Sequence, residues 1–264
     1  MIIDRSQGKD IVLLSAIFQS SPLVMLALKE SNITTVKDFI GKRVMSTPDR
    51  ALIVSLQAMA NKHGVIKEDV IRVKHSYDIN DLITKKTDLM VSYLSNELFL
   101  LKEKGIEYTI FDPKDHGFDF YSDILFTSED EITNHKQRAE KFKEASLKGW
   151  EYAFSHIEET VALIHSKYNS QSKSKEALRF EAETLKKLAY YKTDTLGHLD
   201  SHKVQRIYDI YNLFGLVHEQ INIEKFVLCG KHPISLNLSE AEKTGLKSIL
   251  LSLIVKWIGS LCLS

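Results

Sequence analysis

Short apolar runs alternating with helix-like polar stretches dominate the first half of the chain. Residues 11–18 (IVLLSAIF) and 23–28 (LVMLAL) are almost unbroken apolar runs of strand length, the pattern of strands buried on both faces. Pro22 lies between them and cannot donate to a ladder, so the chain changes direction there. Residues 34–40 predict a short helix, with Thr34 or Thr35 as cap and Gly41 ending it. A brief strand follows at 43–45. Residues 51–63 predict a helix whose apolar face is Leu52, Leu56, Met59 and Ala60, closed by Gly64. Strands at 70–73, 89–93 and 108–111 enclose helices near 80–85 and 95–104. Strand and helix in alternation imply a mostly parallel sheet covered on both faces, spanning about residues 22–117.

The second half changes character. Residues 118–126 (FDFYSDILF) alternate as a strand does, and from Ser128 the period becomes helical. Ala139, Phe142, Ser146, Gly149, Ala153 and Ile157 recur at 3–4 spacing, and Val161, Ile164 and Tyr168 continue it after a kink near His156. A polar turn at 169–174 separates this region from two amphipathic helices, 177–190 and 203–214. In the latter, Val204, Ile207, Tyr211 and Phe214 form the apolar face.

The chain of 264 residues is 44% apolar and 27% charged, so it can bury a core of one large domain or two lobes. Thirty-five basic residues balance 35 acidic ones, which argues against a protein that coats nucleic acid. Two cysteines, Cys229 and Cys262, build neither a disulfide framework nor a Cys-rich zinc site. The start, MIIDRSQGKD, lacks the apolar core of a signal peptide. The apolar tail at 249–263 is too short as a helix for a bilayer core of about 30 Å.

Catalytic signatures such as a Gly-rich phosphate loop, GxSxG or HExxH are absent from the sequence. His198 and His202, with Asp200 between them, fit either two metal ligands on one helix face or a solvated turn ahead of a helix; the turn is the reading taken, and no metal or cofactor is assigned. Cys229 and His232 are taken as an incidental pair. Two places carry more. Ser46-Thr47-Pro48-Asp49-Arg50 joins a strand to a helix, where free N–H groups point at the carboxyl edge of the sheet. The same residues also read as an ordinary helix start, with Ser46 or Thr47 as cap and Pro48 at the first helical position. Tyr93-Leu94-Ser95-Asn96-Glu97 likewise follows a buried strand, with Ser95 as cap and Glu97 in the first turn, where a carboxylate is favoured and can accept hydrogen bonds from an aminopyrimidine edge.

Five segments occur in an order that resembles a known family: Phe18-Gln19-Ser20-Ser21-Pro22, Gly41-Lys42-Arg43, Tyr93-Leu94-Ser95-Asn96-Glu97, the run from Asp115 to Asp123 (DHGFDFYSD) and that from Ala145 to Ala153 (ASLKGWEYA). The set resembles the thiamine-pyrimidine-synthase-like, alkanesulfonate-binding-like periplasmic solute-binding proteins, in particular the version serving as sensor input domain of bacterial histidine kinases and diguanylate cyclases. The resemblance spans residues 2–226.

It implies an α/β, two-lobed, type II periplasmic-binding-protein fold that closes like a Venus flytrap on a small solute. Residues 1–226 would form this domain, with lobe B at about 22–117, lobe A from 1–21 plus 118–226, a helical C-terminal half, and a linker and apolar tail at 227–264. Phe18, Gln19, Ser20 and Ser21 match the hinge-side wall of the cleft, Tyr93, Asn96 and Glu97 the ligand-facing loop, and Tyr121 and Asp123 the return strand. Thr47, Asp49 and Arg50 complete the expected ligand contacts. Family members begin some 70 to 80 residues earlier, so the first lobe is expected to be incomplete, with an exposed sheet edge. The expectation is a non-catalytic module for a pyrimidine-like or sulfonate-like solute, periplasmic by family, partnered by a membrane transporter or a kinase or cyclase. The alternative is a pyridoxal-phosphate-consuming thiamine-pyrimidine synthase. The Cys-rich motif of that enzyme class is missing here, which disfavours it. Residues 238–243 resemble the linker before a further sensing module.

Overall fold

The computed structural model describes residues 1–49 and 51–228. Arg50, Cys229, His232, the 238–243 linker, the apolar tail and Cys262 lie outside the described residues. The chain divides into two compact units. Of the described residues, the first comprises Met1–Gln19, Ser122–Val204 and those from Glu219 to Leu228; the second comprises Ser20–Tyr121 and Gln205–His218.

The second unit holds a five-stranded sheet: β2 (Leu23–Leu28), β3 (Arg43–Ser46), β4 (Ile71–Lys74), β5 (Leu89–Tyr93) and β6 (Tyr108–Phe111), in the order β4-β3-β5-β2-β6. β3 is parallel to β4 and β5, but β2 runs antiparallel to both β5 and β6. The sheet is therefore mixed, where alternation of strands and helices predicted a mostly parallel one. Alternation constrains only strands joined by helical crossovers, and no crossover precedes β2 within this unit. All six residues of β2 are buried, as expected of a central strand covered on both faces. Leu23, Met25 and Ala27 share one core with Val44, Leu89, Val91 and Phe111. Phe39 closes that core by packing edge-on to Phe111 at 4.9 Å.

Helix α2 (Val54–Lys62) lays Leu56 and Met59 into the same core. It begins at Val54, not near Pro48, because residues 51–53 form a turn; Leu52, expected on the buried face, is 40% exposed. Short α3 (Asn80–Ile83) packs against β2, and α4 (Glu97–Glu103) against β5. The helix expected at 34–40 is a single 3-10 turn, Val36–Phe39. Thr35 caps it as predicted, with the Asp38 carboxylate accepting the Thr34 and Thr35 N–H groups at 2.9 and 2.7 Å.

In the first unit, α1 (Ile2–Ser6) precedes β1 (Val12–Phe18), which pairs antiparallel with β7 (Ser122–Thr127). Among the described residues that sheet has two strands, plus a single parallel bridge from Leu13 to Val227 beside α9 (Ile223–Phe226). Helix α5 (Glu129–Ser155) starts at Ser128, whose hydroxyl accepts the Glu131 N–H at 3.1 Å. It ends at His156, where the kink was expected, and α6 (Ile157–Lys167) follows. Phe142, one of the residues recurring at 3–4 spacing in α5, is 50% exposed, whereas Trp150 and Phe154 are buried. Helix α7 (Lys175–Ala189) packs on α6 through Leu178, Val161 and Ile164. Helix α8 (Ser201–Leu213), which belongs to this unit up to Val204 and to the second from Gln205, buries Val204, Ile207 and Tyr208. No helix among the described residues is long and apolar enough to cross a membrane.

Candidate functional site

The strand order of the second unit sets the position of a site. The connection leaving β3 passes through α2 to β4 on one side; the connection leaving β5 passes through α4 to β6 on the other. The carboxyl ends of β3 and β5 thus flank a topological switch point, where open α/β sheets form a crevice. Pairing of β3 with β5 stops at Met45–Met90, while β5 continues to Tyr93. Past that point the two strand ends run on into polar loops.

The loop after β3 is closed by its own side chains. Thr47 Oγ1 accepts the Asp49 N–H at 3.2 Å, and Asp49 Oδ1 accepts the Ala51 N–H at 2.9 Å. These bonds consume N–H groups that the strand-to-helix reading left free for an anion, and α2 has no side-chain cap. Tyr211 of α8 donates its hydroxyl to Ala51 O at 2.9 Å and stacks on Phe120 at 6.0 Å. Burial, with the Asp49 carboxylate adding to it, pushes the Tyr211 phenol up to about 12.

The loop after β5 is organised by Glu97. Its Oε2 accepts the Tyr93 N–H at 2.8 Å and its Oε1 accepts from Asn96 Nδ2 at 3.2 Å. The cap of α4 is Asn96, not Ser95, and it makes no side-chain cap bond; Ser95 is buried instead. The entry of β2 lies at the same edge, since Leu23 pairs with Tyr93 and Leu94 N donates to Pro22 O at 2.9 Å. Ser21 Oγ accepts the Leu23 N–H at 3.2 Å, and the Ser20 hydroxyl is buried with no hydrogen-bond partner. A buried hydroxyl without a partner calls for an explanation, and this one lies at the entry of β2. Ser20, Ser21, Thr47, Asp49, Tyr93, Asn96 and Glu97 therefore gather at one edge of the second unit, with Tyr121 buried near Phe120.

The remaining expected contacts lie in the first unit and have structural work there. Phe18 is fully buried, with its ring edge-on to Trp150 at 5.7 Å. Gln19 Nε2 donates to Ala16 O at 2.9 Å and His198 O at 2.8 Å, while its backbone carbonyl accepts from Lys203 Nζ at 2.5 Å. Both residues brace the end of β1. Asp123 sits in β7 with a left-handed backbone, φ +55, and burial pushes its carboxyl up to about 7, a rise that a bond from the Ser122 hydroxyl opposes.

The sequence carried no pattern that singled out His75 and Tyr77. His75 follows β4, and its Nε2 donates to Val91 O of β5 at 2.6 Å, so the ring reaches past the end of β3. Its Nδ1 accepts the Tyr77 N–H at 3.0 Å, which fixes the tautomer. A histidine pair lies elsewhere in this unit: His63 Nε2 and His116 Nδ1 stand 2.8 Å apart. Such a contact needs one protonated and one bare nitrogen. Burial, then His63 and Lys62, hold His116 below its ordinary 6.5, against the pull of Asp115. A lowered folded-state value means that this group's stabilisation is present above pH 6.5 and is lost as pH falls through the folded value. Amide exchange in residues 113–117 is expected to accelerate between pH 7 and pH 5 beyond the intrinsic trend, and His116→Gln should abolish the excess. An unchanged excess in that variant would exclude the pair as its source.

Around His198 and His202, the Asp200 carboxylate accepts the His202 N–H at 2.8 Å, as a turn before a helix requires. Among the described residues no group of three potential metal ligands comes together.

Comparison with known proteins fits this architecture. The E. coli periplasmic aliphatic sulphonate-binding protein SsuA superposes with a TM-score of 0.64 at 14% identity, covering 91% of this chain and 79% of that one. The sulfonate-binding protein SsuA of Methylobacillus flagellatus gives 0.62 at 13% identity, covering 96% and 72%. At such identities the likeness establishes the fold, that of a periplasmic binding protein. A curated relative, the formylaminopyrimidine-binding protein of Halalkalibacterium halodurans, is 22% identical over 167 residues, which is 62% of this chain. The chain spans about half the length of that relative, 51%. The NMT1/THI5-like family model matches residues 1–160, more than half of the sequence, and the chain therefore belongs to the NMT1/THI5-like family.

Proposed function

We propose that the chain is a non-catalytic solute-binding module and that the carboxyl edge of its second unit takes a small polar heterocycle of aminopyrimidine type. The observation that carries this is the switch point itself. β5 outruns its pairing with β3, and the polar loops of Thr47–Asp49 and Tyr93–Glu97 follow directly from these two adjacent strand ends. Glu97 is already placed by two hydrogen bonds, so little ordering cost remains when it accepts from a ligand's amino group. The formylaminopyrimidine-binding relative supports the pyrimidine class, and the periplasmic sulfonate-binding neighbours, one of them from a sulfonate ABC transporter, support delivery to a membrane transporter from the periplasm.

The test is a thermal-shift and calorimetric screen of the purified chain with aminopyrimidines and short alkanesulfonates, repeated with Glu97→Gln. Ligand at a hundredfold excess over Kd adds about 2.7 kcal/mol of stability. Glu97→Gln is expected to weaken pyrimidine binding at least about tenfold, the cost of one charge-assisted bond, while the unliganded protein stays folded. Equal binding by both proteins would remove Glu97 from the site, and no shift with any probe would overturn the reading.

A further inference from the structure

Tyr77 is an anomaly. Its backbone lies in the left-handed region at φ +61, which a bulky residue rarely adopts, yet its side chain is 63% exposed. Its ring stacks on the His75 imidazole at 4.5 Å with the planes 19° apart. His75 is itself held at both ring nitrogens, by Val91 O and by the Tyr77 N–H. Glycine or asparagine would take that backbone at lower cost. The arrangement keeps an aromatic face rigid and in solvent beside the switch point, where His75 spans from the end of β4 to β5.

We propose that the His75–Tyr77 stack is an aromatic wall of the ligand site, and that it selects planar heteroaromatic solutes over aliphatic ones. This rests on the reading of the second unit's edge as a small-molecule site and goes further by naming its selectivity element. Offset stacking rewards a flat π-system, and a wall fixed before binding loses little entropy on contact. An alkanesulfonate has no π-face to offer.

The experiment measures Kd for 4-amino-2-methylpyrimidine and for propanesulfonate with the wild-type chain, Tyr77→Asn and Tyr77→Phe. Asparagine keeps the left-handed backbone and removes the ring. Tyr77→Asn is expected to weaken the pyrimidine at least about tenfold, in line with the loss of one stacked ring, and to leave propanesulfonate unchanged. Tyr77→Phe should bind as wild type. The unliganded melting temperature of Tyr77→Asn should not fall, whereas a merely structural tyrosine would lower it. Pyrimidine binding that is equal in Tyr77→Asn and wild type overturns the wall while leaving the site. Wild-type binding of propanesulfonate alone overturns the selectivity and leaves a solute site. Binding of neither probe overturns the site and the wall with it.

Discussion

Asp123→Asn is expected to stabilise the chain at pH 8 and to do almost nothing at pH 4. The Asp123 carboxyl titrates at about 7 in the folded protein, against an ordinary 3.8, because burial strips water from its charged form. The folded-state value is raised, so between those limits the native state holds a proton that the unfolded chain has already released. Stability therefore falls as pH rises through that window and levels off above it. The full window is worth about 4 kcal/mol. Partial exposure of the residue reduces this, and about 2–3 kcal/mol is the expected gain for Asn at pH 8. Asparagine suits the position because it fills nearly the same volume and tolerates φ +55. Urea unfolding at pH 4 and pH 8 measures the effect. A variant that tracks the wild type at both pH values would show that the carboxyl is solvated after all. The slope is opposite in sign to that expected of His116, so the two substitutions separate the contributions.

β2 was legible to the residue, because a strand buried on both faces leaves a run with no polar interruption; β5 and β6 were legible from short runs of strand-forming residues bounded by polar segments. The α5–α6 break at His156 was legible from the shift in apolar period. Helix starts were not. Pro48 and Ser95 are good first-turn and cap residues, yet the chain spends residues 51–53 in a turn and caps α4 with Asn96. Local cap propensity is worth about 1 kcal/mol, and seating Leu56 and Met59 in the core outweighs it. The antiparallel placement of β2 was hidden for a different reason, since strand direction is decided by tertiary pairing that no local pattern encodes.

The site was half legible. Thr47, Asp49, Tyr93, Asn96 and Glu97 read as candidates because polar residues directly after a buried strand are visible in the pattern, and the fold brings them to one edge, where the ligand site is proposed. Phe18 and Gln19 were assigned to a ligand by resemblance, and the fold uses them for packing and bracing. His75 and Tyr77 carried no signal, because their meaning depends on an imidazole reaching from β4 to β5, two places away in the sheet.

The bracing of β1 yields the second large expected effect: Gly197→Ala should destabilise the first unit by several kcal/mol, where Gly64→Ala in the second unit costs about 1. Both glycines have φ near +78, at +77 and +78, so an added methyl group meets the same backbone penalty of about 1–2 kcal/mol in each. Their surroundings differ. A Cβ on Gly64 meets nothing within 4 Å, whereas one on Gly197 would lie 2.3 Å from Ser15 Oγ and 2.4 Å from Leu147 Cδ2. Ser15 cannot simply turn away, because its hydroxyl donates to Gly197 O at 2.8 Å from a fully buried position in β1. Leu147 is half-buried and meets the methyl group with the end of its side chain, so the close approach to Ser15 carries most of the overpacking cost of about 1–3 kcal/mol. The neighbouring His198 carbonyl holds Gln19 Nε2, so displacement of this segment would also release the end of β1. Gly197→Ala is thus expected to lose about 2–5 kcal/mol in denaturant unfolding, with Gly64→Ala as the internal control. Equal losses in the two variants would mean that the Ser15–Gly197 contact yields without cost, and that Gln19 is not held as tightly as its four hydrogen bonds suggest.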